Sequence, residues 1–410
     1  MTQARLLPVC FWLGHRVILP HALIALLTIG LASCGTPGTP EQKLATDLGY
    51  DLHQYLIARA SAEHISTLSL TVNFRGGAPP VDVSTGTAQY ASGAAVIPAD
   101  VFQIGSNTKA YTAVAILQLE AAGLLSINDN LGKWLPQYPA WSSVTIKQLL
   151  NMTSTIPTYD LTQQWADDYG ANPLIESTPG QLINYVYPTI SAPGTGWLYS
   201  NTGYILLQLI IDKASPTQSY QTDIDNLLAQ NNLQNTFYQP YFYPQSVTSR
   251  LVSGYYANNV DPPVLTNLLG TDTSTYSLGL AQAAGGMVAT PEDFTIWVRD
   301  LFEGNVLPSQ QLQEFESLVS TTTGQPISDV SAQNPAGFGL GIFKYDDPNL
   351  GTFWGYQGAT LGYRATYMYF PNNGLIVCVF TNSTTAPDQN QIIPVLFPKL
   401  IATLKADGRD

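Results

Sequence analysis

Three short stretches in the last quarter of the chain constrain its fold most. Gly337 to Phe343, Gly362 to Phe370 and Leu375 to Thr381 alternate or run apolar with β-branched and aromatic residues, separated by glycines and by Pro371-Asn372-Asn373-Gly374. That pattern predicts antiparallel strands with a hairpin turn. Far upstream, residues 43–62 carry leucines at 44, 48, 52 and 56, the spacing of one helix packed on a sheet. Ile65 to Phe74, with alternating Leu68, Leu70 and Val72, reads as a strand that stops at Arg75-Gly76-Gly77. The tail from Gln391 to Lys405 reads as a closing helix whose start is blurred by Pro394 and Pro398.

Between these ends the pattern changes. Ala110 to Ala122 is a helix ending at Gly123, and Tyr204 to Ile211 is apolar on nearly every side, the mark of a buried helix. Residues 217–275 are polar and turn-rich and read as surface loops. The expected organisation is a discontinuous α/β domain over 43–125 and 285–405, a mostly helical domain over 126–284, and an active site between them. No internal repeat is present.

With 45% hydrophobic and only 11% charged residues over 410 positions, the composition is globular, with ample apolar area for a core. The 16 basic and 29 acidic side chains give −13 and no basic stripe, which speaks against a nucleic-acid partner. Residues 1–33 carry Arg5, Arg16 and the apolar run Val17 to Ser33, a secretory leader. The run holds Pro20 and His21 and is too short for a spanning helix. Leu31-Ala32-Ser33-Cys34 resembles the lipobox of bacterial lipoproteins, so Cys34 is the expected lipidation site. A Gly/Thr/Pro linker over 34–42 would tether the remainder to a bacterial membrane in an extracytoplasmic, periplasmic setting. Removing the leader leaves 14 basic against 29 acidic residues, net −15.

Past the leader, Cys378 is the one remaining cysteine besides Cys34, and its apolar run makes it a core thiol. His53 and His64 are the only histidines left, too few for an ordinary zinc site, and neither carries a motif for a Ser-His-Asp mechanism. A serine enzyme of this sequence must use another base. Ser106-Asn107-Thr108-Lys109 opens the helix that runs to Ala122, and residues at i and i+3 on a first turn share a face, so the lysine reaches the hydroxyl. The helix N-terminus also offers N–H groups to a developing oxyanion. Alone, S-x-x-K is a common pattern that also fits a capped helix with a solvated lysine.

Its surroundings narrow the choice. With Phe102-Gln103-Ile104-Gly105 before it and Ala110-Tyr111-Thr112-Ala113 after it, the segment resembles the penicillin-recognising serine hydrolases, in the branch shared by class C β-lactamases, DD-peptidases and related esterases. Val144 to Leu150, Met152-Thr153-Ser154, Tyr199-Ser200-Asn201, Ala284 to Thr290 and Gly339-Leu340-Gly341 follow in the family's order, so the resemblance covers residues 45–385. A second Tyr-x-Asn, Tyr256-Ala257-Asn258, reads as a polar loop. The resemblance implies an α+β, β-lactamase/transpeptidase-like fold: an antiparallel sheet flanked by helices, with a mostly helical second domain. It also implies an acyl-enzyme on Ser106, proton relay by Lys109 and Tyr199, a substrate hydrogen bond from Asn201, and no metal or organic cofactor.

Two positions depart from the family. Where relatives carry Lys-Thr-Gly or His-Thr-Gly, this chain has Tyr356-Gln357-Gly358, followed by Ala359, so the cation is missing. By resemblance Tyr356, Gln357, Gly358 and Ala359 still line the substrate, with Ala359 N–H as second oxyanion donor; Arg364 is either a substitute cation or a strand arginine facing solvent. Thr155 stands where relatives have glycine, and a β-branched residue resists φ > 0, so a different local turn is expected. The leading expectation is a D-Ala-D-Ala carboxypeptidase-like or related D-peptidase acting on a small peptide, amide or ester, including peptidoglycan stem peptide. A carboxylesterase of the same fold and a non-catalytic cell-wall-peptide-binding lipoprotein are the alternatives.

Overall fold

Thr39 caps the first helix: its side chain accepts from Gln42 N while Gln42 accepts through Oε1 from Thr39 N, a capping box that launches α1 (Pro40–Glu63). The computed structural model describes residues 39–90, 92–260 and 263–409. The leader and Cys34 lie outside them. Helix α1 starts inside the stretch expected to be linker, because Pro40 at its first position needs no N–H acceptor there. Leu44, Leu48, Leu52 and Leu56 all face inward, each contributing about 1.5–3 kcal/mol by burial.

They pack on a ten-stranded antiparallel sheet. Its strands are β1 (Thr67–Asn73), β2 (Val81–Gln89), β3 (Ser92–Ala95), β4 (Leu318–Ser320), β5 (Pro326–Ile327), β6 (Ala336–Phe338), β7 (Phe343–Asp347), β8 (Gly351–Ala359), β9 (Arg364–Phe370) and β10 (Leu375–Thr381). Their order is β3-β2-β1-β10-β9-β8-β7-β6-β4-β5. The N-terminal strand β1 therefore sits inside the sheet, with Leu70 opposite Val83 on one side and Val379 on the other. The hairpin expected at 371–374 joins β9 to β10, with Phe370 opposite Leu375. Cys378 on β10 is fully buried, and burial pushes its thiol well above the ordinary value, as befits a core residue.

Leu68, Leu70 and Val72 pack with α1 and the closing helix α5 (Phe397–Ala406), while the opposite face receives Phe294 and Trp297 of α4 (Pro291–Phe302). A single turn of π-helix, Ile392–Leu396, precedes α5, the form taken by the proline-rich start of that helix. The core on the α4 side continues into α2 (Thr108–Ala121) and α3 (Asn201–Ala214), whose Ile205, Leu206, Leu207, Ile210 and Ile211 have no exposed surface.

Three expectations fail in the middle of the chain. Residues 217–275 are more than loops: Tyr220–Gln230 is a helix burying Tyr220, Ile224, Leu227 and Leu228. Tyr256 is buried in a short strand, Tyr255–Ala257, parallel to Ser383–Thr385. Thr155 adopts φ +59° after all, and so does not force another turn. Its hydroxyl, 2.7 Å from Ser154 O and 2.9 Å from Ser191 O, offsets the strain of about 1–2 kcal/mol.

Candidate active site

The chain enters the site through Phe102–Gln103, a strand pair held against Met287–Ala289, then turns at Gly105 (φ +53°) into a single 3-10 turn, Gly105–Asn107, ahead of α2. Three residues per turn eclipse i and i+3, so the turn stacks Lys109 over Ser106. Lys109 is fully buried, and its Nζ donates to Ser106 Oγ at 3.0 Å, Asn201 Oδ1 at 2.7 Å and Ala284 O at 2.6 Å. Three oxygens thus converge on the one nitrogen. The rings of Tyr199 and Tyr204 lie 5.0 and 5.3 Å from Nζ, within cation–π range.

Tyr199 and Asn201 flank the N-cap of α3. Ser200 is extended (φ −145°, ψ 112°), so its neighbours point to one side while its own hydroxyl accepts from Gly203 N at 3.3 Å. Tyr199 Oη comes 2.7 Å from Ser106 Oγ. Asn201 gives its Oδ1 to Lys109 and donates through Nδ2 to Asp160 Oδ2 at 2.7 Å. Ser106, Lys109, Tyr199 and Asn201, named from sequence, thus meet in one hydrogen-bonded cluster.

The fourth wall is β8. It overruns its neighbour β7, which pairs only as far as Gly355, so Tyr356–Ala359 have a strand partner on the β9 side alone. The 105–107 turn fills the vacant side. A Cβ on Gly358 would lie 2.0 Å from Ile104 O, and one on Gly105 would lie 2.5 Å from Ala359 N. Both glycines are what lets the strand touch the turn. Buried Asn107 pins them, donating from Nδ2 to Ile104 O at 3.0 Å and to Ala365 O at 2.9 Å. The turn that carries the Ser106 N–H, at a helix start with no intrahelical acceptor, thereby lies against the strand that carries the Ala359 N–H.

Tyr356 occupies the place of the absent cation. Its hydroxyl donates to Tyr199 Oη at 3.1 Å, and its ring packs against Phe338 and Phe343. Burial first, then nearby Tyr199, pushes this phenol well above its ordinary value, so it stays protonated and a donor. Two expectations are corrected here. Gln357 alternates to the other face of β8, where it donates to Thr366 Oγ1 at 3.0 Å and accepts from Asn390 at 2.9 Å; it does not line the site. Arg364 neither replaces the cation nor faces solvent, being buried on β9 and donating to Ser383 O and Thr385 O.

Sequence reasoning missed Asp160, Asn107 and the Ala284 carbonyl. Asp160 lies on the turn Tyr159–Leu161 with no periodic or motif signal, and a backbone carbonyl leaves none. His53 and His64 stay apart from the cluster: His53 pairs with Thr85 Oγ1 at 3.2 Å and His64 closes α1. Among the described residues no group of three or more His, Cys, Asp or Glu could hold a metal, and no helix is long and apolar enough to cross a membrane.

Comparison with known proteins identifies the family and the fold. The family model described as Beta-lactamase matches residues 54–396. Penicillin-binding protein 4* of Bacillus subtilis (strain 168) is 25% identical over 297 residues, covering 72% of this chain and 63% of that protein. Protein flp of Staphylococcus aureus (strain MW2) is 26% identical over 355 residues, covering 85% and 64%. The chain thus spans just under two thirds of the length of these relatives. Among solved structures, the D-amino acid amidase of Ochrobactrum anthropi SV3 superposes with TM-score 0.72 at 19% identity, covering 89% of this chain and 99% of that one. A D-stereospecific amidohydrolase of a Streptomyces species superposes at 0.67 and 24%, covering 85% and 98%. The fold expectation is borne out, and the chain belongs to the Beta-lactamase family of serine hydrolases, with a penicillin-binding-protein-like fold.

Proposed function

We propose that the chain is an extracytoplasmic, Cys34-anchored hydrolase that cleaves amide bonds of D-amino-acyl or short D-peptide substrates through an ester on Ser106. The observation that carries the reading is the contact of Ser106 Oγ with both Tyr199 Oη, at 2.7 Å, and Lys109 Nζ, at 3.0 Å. Ser106 Oγ attacks the carbonyl carbon as its proton passes into the Tyr199–Lys109 pair, which acts as the base. The oxyanion meets the N–H groups of Ser106 and Ala359, worth about 10²–10³ in rate per donor. The departing amine takes that same proton by way of Tyr199, and water then attacks the ester, one of its protons returning through the pair to Ser106 Oγ as the acid leaves.

Tyr356 favours one substrate class within this reading. A buried neutral phenol gives up the charge-assisted bond that a lysine or histidine would offer a carboxylate, which points away from a carboxypeptidase and toward D-amino-acid amides, D-peptides read at the acyl side, or neutral esters. The D-amino acid amidase and D-stereospecific amidohydrolase among the structural neighbours support the D-amide form. Intact Ser106, Lys109 and Tyr199 count against a purely binding role.

The test is labelling with a serine-reactive phosphonate, beside hydrolysis of a D-phenylalanine amide, a D-Ala-D-Ala peptide, a short ester and a penicillin. Wild type should label and Ser106→Ala should not. Lys109→Ala should abolish acylation and Tyr199→Phe should mainly slow turnover; near-wild-type rates in both would sink the assignment. The amide should outrun the carboxylate-ending peptide. Incorporation of an alkyne fatty acid, lost in Cys34→Ser, checks the anchor.

A further inference from the structure

Asn201 stands between a nitrogen that donates to it and a carboxyl oxygen that accepts from it. On one side is Lys109 Nζ, on the other Asp160 Oδ2, each 2.7 Å away. Only one amide orientation satisfies both, with Oδ1 to the lysine and Nδ2 to the aspartate. A flipped amide would set N–H against N–H and oxygen against oxygen at the same distances.

The carboxylate is itself held in place. Asp160 Oδ1 accepts from Thr158 Oγ1, and the same Thr158 oxygen accepts from Asn201 N at 3.1 Å, so backbone and side chain of Asn201 are both tied to the 158–160 turn. Buried Tyr159 anchors that turn, its N–H donating to Thr202 Oγ1 at 3.0 Å and its hydroxyl to Leu280 O. Asp160 spends one of the two Nδ2 hydrogens of Asn201 and leaves the other for a substrate oxygen.

We propose that Asp160 is a positioning residue for acyl transfer at Ser106, fixing the Asn201 amide so that it accepts from Lys109 and keeps one N–H for the acyl group. The proposal rests on the Ser106 reading above. It gives the lysine, through one amide, the kind of third partner that orients the base in other nucleophilic sites.

The experiment is a double-mutant cycle on the full chain, read as the labelling rate by an α-aminoalkyl phosphonate and by its N-acetyl form. Asp160→Ala should slow labelling by about 10- to 100-fold with both probes, the range for a lost hydrogen bond to a charged group. In an Asn201→Ala background the same change should cost less than about twofold. Asp160→Asn, which still presents an acceptor oxygen, should recover part of the rate, and thermal midpoints report whether each variant folds. Equal losses in both backgrounds would overturn the proposal, as would a loss confined to the probe with a free amine, which would make Asp160 a substrate contact. A wild type that fails to label at Ser106 overturns the underlying reading as well; normal wild-type labelling with additive losses overturns this inference alone.

Discussion

Gly358→Ala tests the close approach on which the oxyanion wall depends. The added methyl would lie 2.0 Å from Ile104 O, 2.7 Å from Asn107 Nδ2 and 2.9 Å from Asn107 N, and two of these are backbone atoms that cannot swing aside. Carbon–oxygen contact below 3.0 Å is essentially not tolerated, so strand and turn must separate by at least about 1 Å at Ile104. The turn resists, being fixed by Ile104 N to Met287 O at 3.0 Å and by both Asn107 bonds. The strand therefore moves, taking Ala359 N–H away from Ser106. A 1 Å misplacement in an active site costs about 10²-fold in rate, and overpacking of this size destabilises by about 1–3 kcal/mol. Steady-state kcat/KM on the best amide or ester, with thermal melting alongside, should show a roughly 100-fold loss and a midpoint lower by a few degrees. Gly180→Ala, in the helix Pro179–Asn184 with nothing within 4 Å of its Cβ, is the control and should be neutral or slightly stabilising. A Gly358→Ala enzyme within fivefold of wild type would refute the idea that this contact builds the oxyanion wall.

Tyr356→Phe removes the donor to Tyr199 and should lower kcat by about 3- to 10-fold without loss of fold, as seen by kinetics and circular dichroism. Tyr356→Lys should raise the rate of penicillin acylation at least tenfold, followed by intact mass; no change would mean that the missing cation does not set carboxylate preference. Thr155→Val keeps φ +59° but loses both hydroxyl contacts and should be less stable than Thr155→Gly by about 1–2 kcal/mol in denaturant melts. Burial raises the Asp82 carboxyl above its ordinary value, despite the bond from Thr71, so ionisation costs the folded state stability as pH climbs from the unfolded value through the raised one. Asp82→Asn should therefore melt about 1–3 °C above wild type at pH 7 and lose that advantage near pH 3.

Regular elements with one buried face were readable because burial imposes a period. Leu44, Leu48, Leu52 and Leu56 announced α1, and Leu68, Leu70 and Val72 announced the strand it covers. Ser106 and Lys109 were readable because three-residue spacing survives either kind of helical turn. Position in the sequence carries less about direction: Gln357 sits between two site residues yet points away, since neighbours on a strand face opposite sides. Arg364 looked polar and exposed, but carbonyls from 383 and 385 receive it in the interior. Asp160 lies on an irregular turn 41 positions from the Asn201 it touches, and no local pattern connects them. Thr155 shows the converse, a strained backbone made tolerable by partners that only the folded chain supplies.

The central place of β1 has a consequence for when this enzyme becomes one. Thr67 meets Thr381 across 314 positions, so synthesis delivers the nucleophile long before the last strand that β1 must pair with. Non-local pairing of this kind makes folding slow and leaves an exposed edge while the chain waits. A polypeptide interrupted before β8 would contain Ser106, Lys109, Tyr199 and Asp160 but no Ala359 amide opposite them. Acyl transfer at Ser106 then waits on β8, and a chain stopped short of it lacks one of the two proposed oxyanion donors.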